Sequence, residues 1–267
     1  MTNREMKKDE KKGFLSKILT YPDTANEDVD NPQVTYQRRA IIRRKRFLHA
    51  IYQEWYSMQI AQLPEMPGKT LEIGSGAGFF NEICGEAITS EVFYCPFVNT
   101  ILDGMRLPFP DKSLRAIVMT DVFHHIPDVD QFLREAERTL RPGGRVIMIE
   151  PWVSRWSCWV MHHFHSEPMD VEMETWQFPS HGPLSSSNQA LPWIVFQRDR
   201  RVFEQKYPDL RLVNLQPFMP FRYILSGGVS MRSLAPAGCN SFLKMIERRF
   251  NPKRWAMFAL LVIEKTR

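Results

Sequence analysis

An α/β fold, with a mostly parallel sheet and helices on both faces, is what this sequence predicts, and three observations carry it. Strand-like apolar segments alternate with helical ones between Leu71 and Glu150. A turn with glycine at alternate positions, Gly74-Ser75-Gly76-Ala77-Gly78, joins the first such strand to a helix. Residues 128–140 form the clearest amphipathic helix, with Val129, Phe132, Leu133, Ala136 and Leu140 at helical spacing. Strand–helix–strand alternation of this kind builds parallel strands joined by right-handed crossovers.

In chain order, residues 1–34 read as a disordered tail and loop, charged with both signs at first and then interrupted by Pro22 and Pro32. Residues 35–66 read as a basic amphipathic helix. Ile41, Leu48, Ile51, Tyr52 and Trp55 share one face, and Arg39, Arg43 and Arg46 the other. Residues 67–151 are the expected core. After the glycine turn come a short helix from Phe79 to about Gly85, a second strand over Ala87–Phe93, and a buried parallel strand over Leu114–Thr120. The helix at 128–140 is expected to stop at Arg141-Pro142-Gly143-Gly144, followed by a strand over Arg145–Glu150. Residues 152–209, rich in Trp, His and Pro, read as an inserted lid or substrate-side subdomain. Residues 210–267 supply two last strands, Leu210–Leu215 and Trp255–Glu264, and between them a Gly-Gly segment from Arg222 to Arg232 that reads as either an ordinary turn or an anion-holding loop.

Composition narrows the class. With 43% hydrophobic and 24% charged residues the chain reads as a soluble globular protein, and no apolar run approaches the length of a spanning helix. The four cysteines are widely spaced, which points to reduced thiols rather than a disulfide frame or zinc site. No apolar segment follows the charged N-terminus, so the expectation is a cytoplasmic chain without a secretory signal. The net charge of +5 comes from one block, since six of the nine residues from Arg38 to Arg46 are basic. That block is either the solvated back of a helix packed on the core or a peripheral contact with an anionic membrane surface; nucleic acid is not expected as a partner.

Several features then agree. Glu72 precedes Gly74-x-Gly76-x-Gly78, and the acids Glu91 and Asp103 follow. Beyond them stand Leu107-Pro-Phe-Pro-Asp111, Asp121-Val-Phe-His124-His125 and Leu140-Arg-Pro-Gly-Gly144. Over residues 68–151 the chain resembles the class I S-adenosylmethionine-dependent methyltransferases, in the group with an LPF…HH…L(K/R)PGG pattern. A nicotinamide-binding domain would place its third glycine at position 79, which is Phe79 here. The resemblance implies a Rossmann-like sheet of seven strands with one late antiparallel strand, an N-terminal helical extension, and the lid between the fifth and sixth strands. It implies S-adenosyl-L-methionine as cofactor, with Glu72, Gly74, Ser75, Gly76 and Gly78 about its methionine part. Glu91 would lie at the ribose, Asp103, Gly104 and Met105 at the adenine, and Asp121 at the methyl-transfer site. Two departures stand out: the segment from Gly74 to Asp103 is short, so the helix after the second strand is expected to be lost, and the ribose acid is a glutamate.

The implied function is methyl transfer to a small-molecule or lipid-like acceptor at oxygen, nitrogen or carbon. The alternative is a non-catalytic module of the same fold that binds a partner or membrane through its basic helix. The sulfonium cofactor is reactive by itself, so a base is needed only where the acceptor begins protonated; His124, His125 and Asp121 are the catalytic candidates. A second cluster, His162-His163-Phe164-His165-Ser166-Glu167, places His162 and His165 one helical turn apart. They could share a metal with Glu167 or a distant residue, but no complete ligand set is present and no metal is expected. Trp152, Trp156, Trp159 and Phe164 are candidates for an acceptor pocket, with the core of the insertion as the plainer role.

Overall fold

The alternation of apolar and amphipathic segments produces one seven-stranded sheet in the order β3-β2-β1-β4-β5-β7-β6. Its strands are β1 (Lys69–Ile73), β2 (Ile88–Glu91), β3 (Thr100–Ile101), β4 (Leu114–Thr120), β5 (Leu140–Pro151), β6 (Leu210–Phe218) and β7 (Phe258–Lys265). The first five are parallel to one another; β7 runs antiparallel between β5 and β6. The computed structural model describes residues 30–164, 167–180, 182 and 184–267. The expectations for residues 1–29 and for His165 and Ser166 lie outside the described residues, as does the side chain of Phe164.

The helices are α1 (Pro32–Arg44), α2 (Arg46–Ile60), α3 (Phe80–Ile83), α4 (Val129–Thr139), α5 (Arg155–Phe164), α6 (Leu191–Trp193), α7 (Arg200–Lys206), α8 (Arg222–Ser226), α9 (Asn240–Glu247) and α10 (Pro252–Trp255). Residues 92–99, between β2 and β3, hold no helix, as the short spacing there predicts. One apolar layer packs α4 and the 191–207 segment on one face of the sheet, and another packs α2 and α5 on the other.

Three local differences from the sequence expectation have physical causes. The N-terminal helix starts at Pro32, with the Asn31 side chain accepting from the Gln33 amide at 3.0 Å, so residues 32–34 are helical and not loop. It also breaks at Lys45. The ammonium of Lys45 is buried and donates to the carbonyls of Gly228 at 2.6 Å and Met231 at 2.7 Å, and burial lowers its pKa to about 8. At the other end of the core, α4 stops at Thr139, before the Arg141–Gly144 stretch. That stretch is a bulge inside β5, which starts at Leu140 opposite Leu114 and is back in register at Arg145 opposite Ala116.

The basic block is divided by the fold. Arg39 and Arg43 both pair with Glu82 of α3, Lys45 is buried, and Arg38 faces a cavity at the sheet edge. Among the described residues no helix is long and apolar enough to cross a membrane.

Two polar anchors fix the outer helices. Gln59 is fully buried; its amide donates to the Met119 carbonyl at 2.7 Å and its oxygen accepts from the Thr120 hydroxyl, tying α2 to β4. Arg222 of α8 is 2% exposed between Glu54 of α2 and Glu247 of α9, which it meets at 2.7 Å and 2.6 Å. Glu247 also accepts the backbone amides of Phe221 and Arg222 at the N-terminus of α8. Removing one partner of a buried ion pair strands the other in low dielectric. Arg222→Ala is therefore expected to lower the unfolding free energy by about 3 kcal/mol in urea titration; a loss under about 1 kcal/mol would mean that solvent reaches the two glutamates.

Candidate active site

The parallel strands end side by side, and three acids stand at those ends: Glu72 on β1, Glu91 closing β2 and Asp121 just past β4. With α1, α2, α5, α8 and the 227–231 loop they bound a cavity of about 610 Å³. Every residue expected at the cofactor lines it: Glu72, Gly74, Ser75, Gly76, Gly78, Glu91, Asp103, Gly104, Met105 and Asp121.

The glycine turn leaves β1 with Gly74 at φ +65° and Gly76 at φ +38°, backbone that a side chain would strain. Gly78 has a different reason. A Cβ there would run into the Tyr56 hydroxyl of α2 and lie 2.9 Å from the Ser75 carbonyl. The same hydroxyl accepts the Phe79 amide at 3.2 Å. The third glycine thus admits the N-terminal helix to the turn.

Glu72 is 2% exposed, and its Oε2 has no hydrogen-bond partner among the described residues. Burial raises its pKa to about 7, with the Ser75 hydrogen bond opposing and the Glu91 charge adding. Glu91 is also raised by burial, although the amides of Val92 and Gly76 donate to it. Asp103 accepts the Met105 amide at 2.8 Å, an Asx turn that sets the short Asp103–Met105 stretch against the cavity.

The acceptor side is built around Asp121, a non-glycine residue at φ +62°. Burial lifts its pKa to about 6, with the His124 charge opposing and Glu150 and Glu167 adding. Glu150, fully buried near the end of β5, accepts the amides of Val122 and Phe123 at 2.9 Å and 2.8 Å through one oxygen. Its other oxygen meets His124 Nδ1 at 2.8 Å.

The two histidines therefore divide. His124 is 1% exposed and lies behind the cavity wall; burial opposes its charge, but the Glu150 hydrogen bond and the nearby Glu167 carboxylate outweigh it and raise its pKa to about 10. His125 lines the cavity and is lowered to about 4, by burial first and the His124 charge second.

Sequence reasoning missed part of this wall and misassigned another part. Thr35, Arg38, Tyr52 and Tyr56 reach the cavity from α1 and α2, and Met257 and Phe258 from the start of β7. Glu167 joins His124 and His125, not His162, which is exposed with His163 on α5. Of the tryptophan candidates, Trp152 and Trp156 pack in the core and Trp159 is half exposed; α5 instead sends Val160 and Met161 into the cavity. In the 222–232 segment Arg222 is committed to Glu54 and Glu247 and Arg232 is exposed, so it presents backbone and small side chains from Gly227 to Met231 rather than an arginine.

A glycine turn under three strand-end acids, on a sheet with β7 inserted antiparallel, defines the class I methyltransferase fold. Residues 71–148 match the methyltransferase domain family model. Among curated relatives, the ubiquinone/menaquinone biosynthesis C-methyltransferase UbiE of Caulobacter sp. (strain K31) is 43% identical over 51 residues, covering 19% of this chain and 20% of that protein. The demethylmenaquinone methyltransferase of Deinococcus radiodurans is 30% identical over 108 residues, covering 33% of this chain and 45% of that one. The chain thus spans less than half the length of these relatives. The geranyl diphosphate C-methyltransferase of Streptomyces coelicolor A3(2), solved with Mg2+, geranyl diphosphate and S-adenosyl-L-homocysteine, shares the fold at TM-score 0.51 and 13% identity over 82% of both chains.

The site fits that family's cofactor. Glu72 Oε2 is a buried acceptor with no partner among the described residues, which suits a cationic group, and a Cβ on Gly76 would come within 3.0 Å of the Glu91 carboxylate. Gly78→Ala is expected to destabilise the fold by about 1–3 kcal/mol through overpacking. Adding Tyr56→Phe should return part of that loss in thermal denaturation, and a double variant no more stable than Gly78→Ala would show the hydroxyl is not the obstacle.

Proposed function

We propose that the protein transfers the methyl group of S-adenosylmethionine to a small, largely apolar acceptor, and the observation that carries this is the buried Glu72 carboxylate before the glycine turn, whose Oε2 has no partner among the described residues. The group supplies an electrophilic methyl on a sulfonium, and the chain has to hold an acceptor lone pair in line with it while excluding water. Glu72 takes the ammonium group, Glu91 the ribose hydroxyls, and Asp103 with Met105 the adenine. Asp121 and His125 border the transfer site. On the acceptor side, Ile42, Val160, Met161, Ile224, Val229 and Phe258 favour an apolar body, with Arg38 and His125 as polar anchors.

Support for a lipid-like or prenylated acceptor comes from that apolar wall and from relatives named for quinone methylation. A membrane role for the Arg38–Arg46 block has less support, because four of its six cations face Glu82, backbone carbonyls or the cavity. Incubating the purified chain with methyl-tritiated cofactor and a cell lipid extract is expected to label an organic-soluble product. Absence of cofactor binding in calorimetry would end this reading.

Glu72 also makes a pH prediction. Its pKa in the fold, about 7, lies above the ordinary 4.5, so the native state holds a proton that the unfolded chain has released. Its contribution to stability is full below the unfolded value and is lost as pH rises through about 7. Glu72→Gln should therefore make the unliganded protein more stable than wild type at pH 8, while weakening cofactor binding there by about 10–100-fold, the worth of a charged hydrogen bond. In wild type, cofactor affinity should rise between pH 6 and pH 8. A variant with unchanged affinity would remove Glu72 from the cofactor site.

A further inference from the structure

Two imidazole nitrogens and one carboxylate converge at the cavity wall, and both imidazoles are oriented from behind by groups that only accept. Glu150 already takes two amide hydrogens and sits 2.8 Å from His124 Nδ1, so that nitrogen carries the hydrogen and Nε2 faces Glu167. His125 Nδ1 lies 3.2 Å from the Ser186 carbonyl, which again can only accept, and its Nε2 also faces Glu167. A carboxylate or carbonyl on the far nitrogen is the outer shell that metal-bound histidines have, fixing the tautomer and aiming the lone pair.

The spacing agrees. His124 Nε2 and His125 Nε2 lie 3.6 Å and 3.9 Å from Glu167 Oε2, and the three ligand atoms fall within 4.8 Å of one another. Those separations are longer than good hydrogen bonds of about 2.7–3.2 Å. They approach the edge of about 3.3–3.5 Å that donors make when each stands about 2.0–2.2 Å from a tetrahedral ion. Gln189 and Ser187 both donate to Oε2 itself and orient the carboxylate, so an ion would displace one of these donors or bind through Oε1.

We infer that His124, His125 and Glu167 form a site for one divalent transition-metal ion, with Glu150 and the Ser186 carbonyl as its outer shell. Two imidazoles and a carboxylate suit zinc or a non-haem ferrous ion better than magnesium, which prefers an all-oxygen shell. His125 and Glu167 line the cavity, so the remaining coordination position opens there and takes water or an oxygen of the acceptor. Three ligands among the described residues, with a position open to the cavity, is the pattern of a catalytic rather than a structural site. On the methyl-transfer reading, such an ion would bind a hydroxyl acceptor through its oxygen and favour its deprotonated form. The metal site itself does not depend on that reading. It also departs from the sequence expectation of no metal, because Glu167 meets two histidines more than forty residues earlier in the chain.

The test is cobalt binding by the full chain after treatment with a chelator. One equivalent of Co2+ should give visible d–d absorption that Zn2+ abolishes. His125→Ala and Glu167→Gln should each lose the band at the same Co2+ concentration, and Glu150→Gln should weaken binding about 10–100-fold. His162→Ala/His163→Ala, on the outer face of α5, should leave it unchanged. Circular dichroism confirms the fold of each variant, and Glu167→Gln alone suffices if His125→Ala does not fold. No band in wild type would overturn the inference in favour of an imidazolium bridge between Glu150 and Glu167. A band that persists in Glu167→Gln, or that disappears with His162 and His163, would overturn it as well. Cofactor calorimetry on the metal-free chain is a separate readout, so loss of the metal site and failure of the methyltransferase reading remain distinguishable.

Discussion

Crowded negative charge at the carboxyl ends of the parallel strands is the constraint the rest of the structure answers. Glu72, Glu91, Asp121 and Glu150 come from four strands that lie side by side, β2-β1-β4-β5, and three of them are under a tenth exposed. Burying a carboxylate is costly unless donors surround it. Glu150 is compensated by two amides and His124, and Glu91 by the amides of Val92 and Gly76. Glu72 and Asp121 are not, and their pKa values of about 7 and 6 record it. The fold therefore holds anionic sites whose stabilisation is left to something that enters the cavity, which is what a cationic ligand provides.

The N-terminal helices are part of the same answer. Tyr56 hydrogen-bonds the Phe79 amide, Gln59 bonds the end of β4, and Arg39 with Arg43 reaches Glu82 on the helix after the glycine turn. Lys45 caps carbonyls of the 227–231 loop on the opposite rim. One helical pair thereby binds both rims of the cavity, and the break at Lys45 is the local price of reaching the second one.

How legible this was in the sequence depends on the distance over which each feature is determined. The strand Leu114–Thr120, the helix 129–139 and the glycine turn are set by residues within a few positions, through periodicity and positive φ, and they lie where the pattern puts them. The bulge at Arg141–Gly144 was read as a helix stop because proline and glycine mark both; only the pairing of Leu140 with Leu114 distinguishes them. The role of Arg222, which opens the Gly-Gly segment, was not legible locally, because its partners Glu54 and Glu247 stand 168 and 25 residues away. Gly78 carried the right motif for a reason the motif does not contain.

The two halves of the cavity differ in the same way. The cofactor half is drawn from one stretch, Glu72 to Asp121, in which strand order places successive acids next to one another. The acceptor half is assembled from Thr35–Tyr56, Val160–Gln189, Tyr223–Met231 and Met257–Phe258, segments with no common spacing. Among the described residues they are brought together by α2, by the Arg222 ion pairs, and by contacts of the 167–190 segment with β4's exit, such as the Asn188 amide on the His124 carbonyl at 2.9 Å. On the proposed methyl-transfer reading, acceptor choice would be a property of tertiary packing. Substitutions in any of these segments would then alter it while the strand-end acids stay fixed.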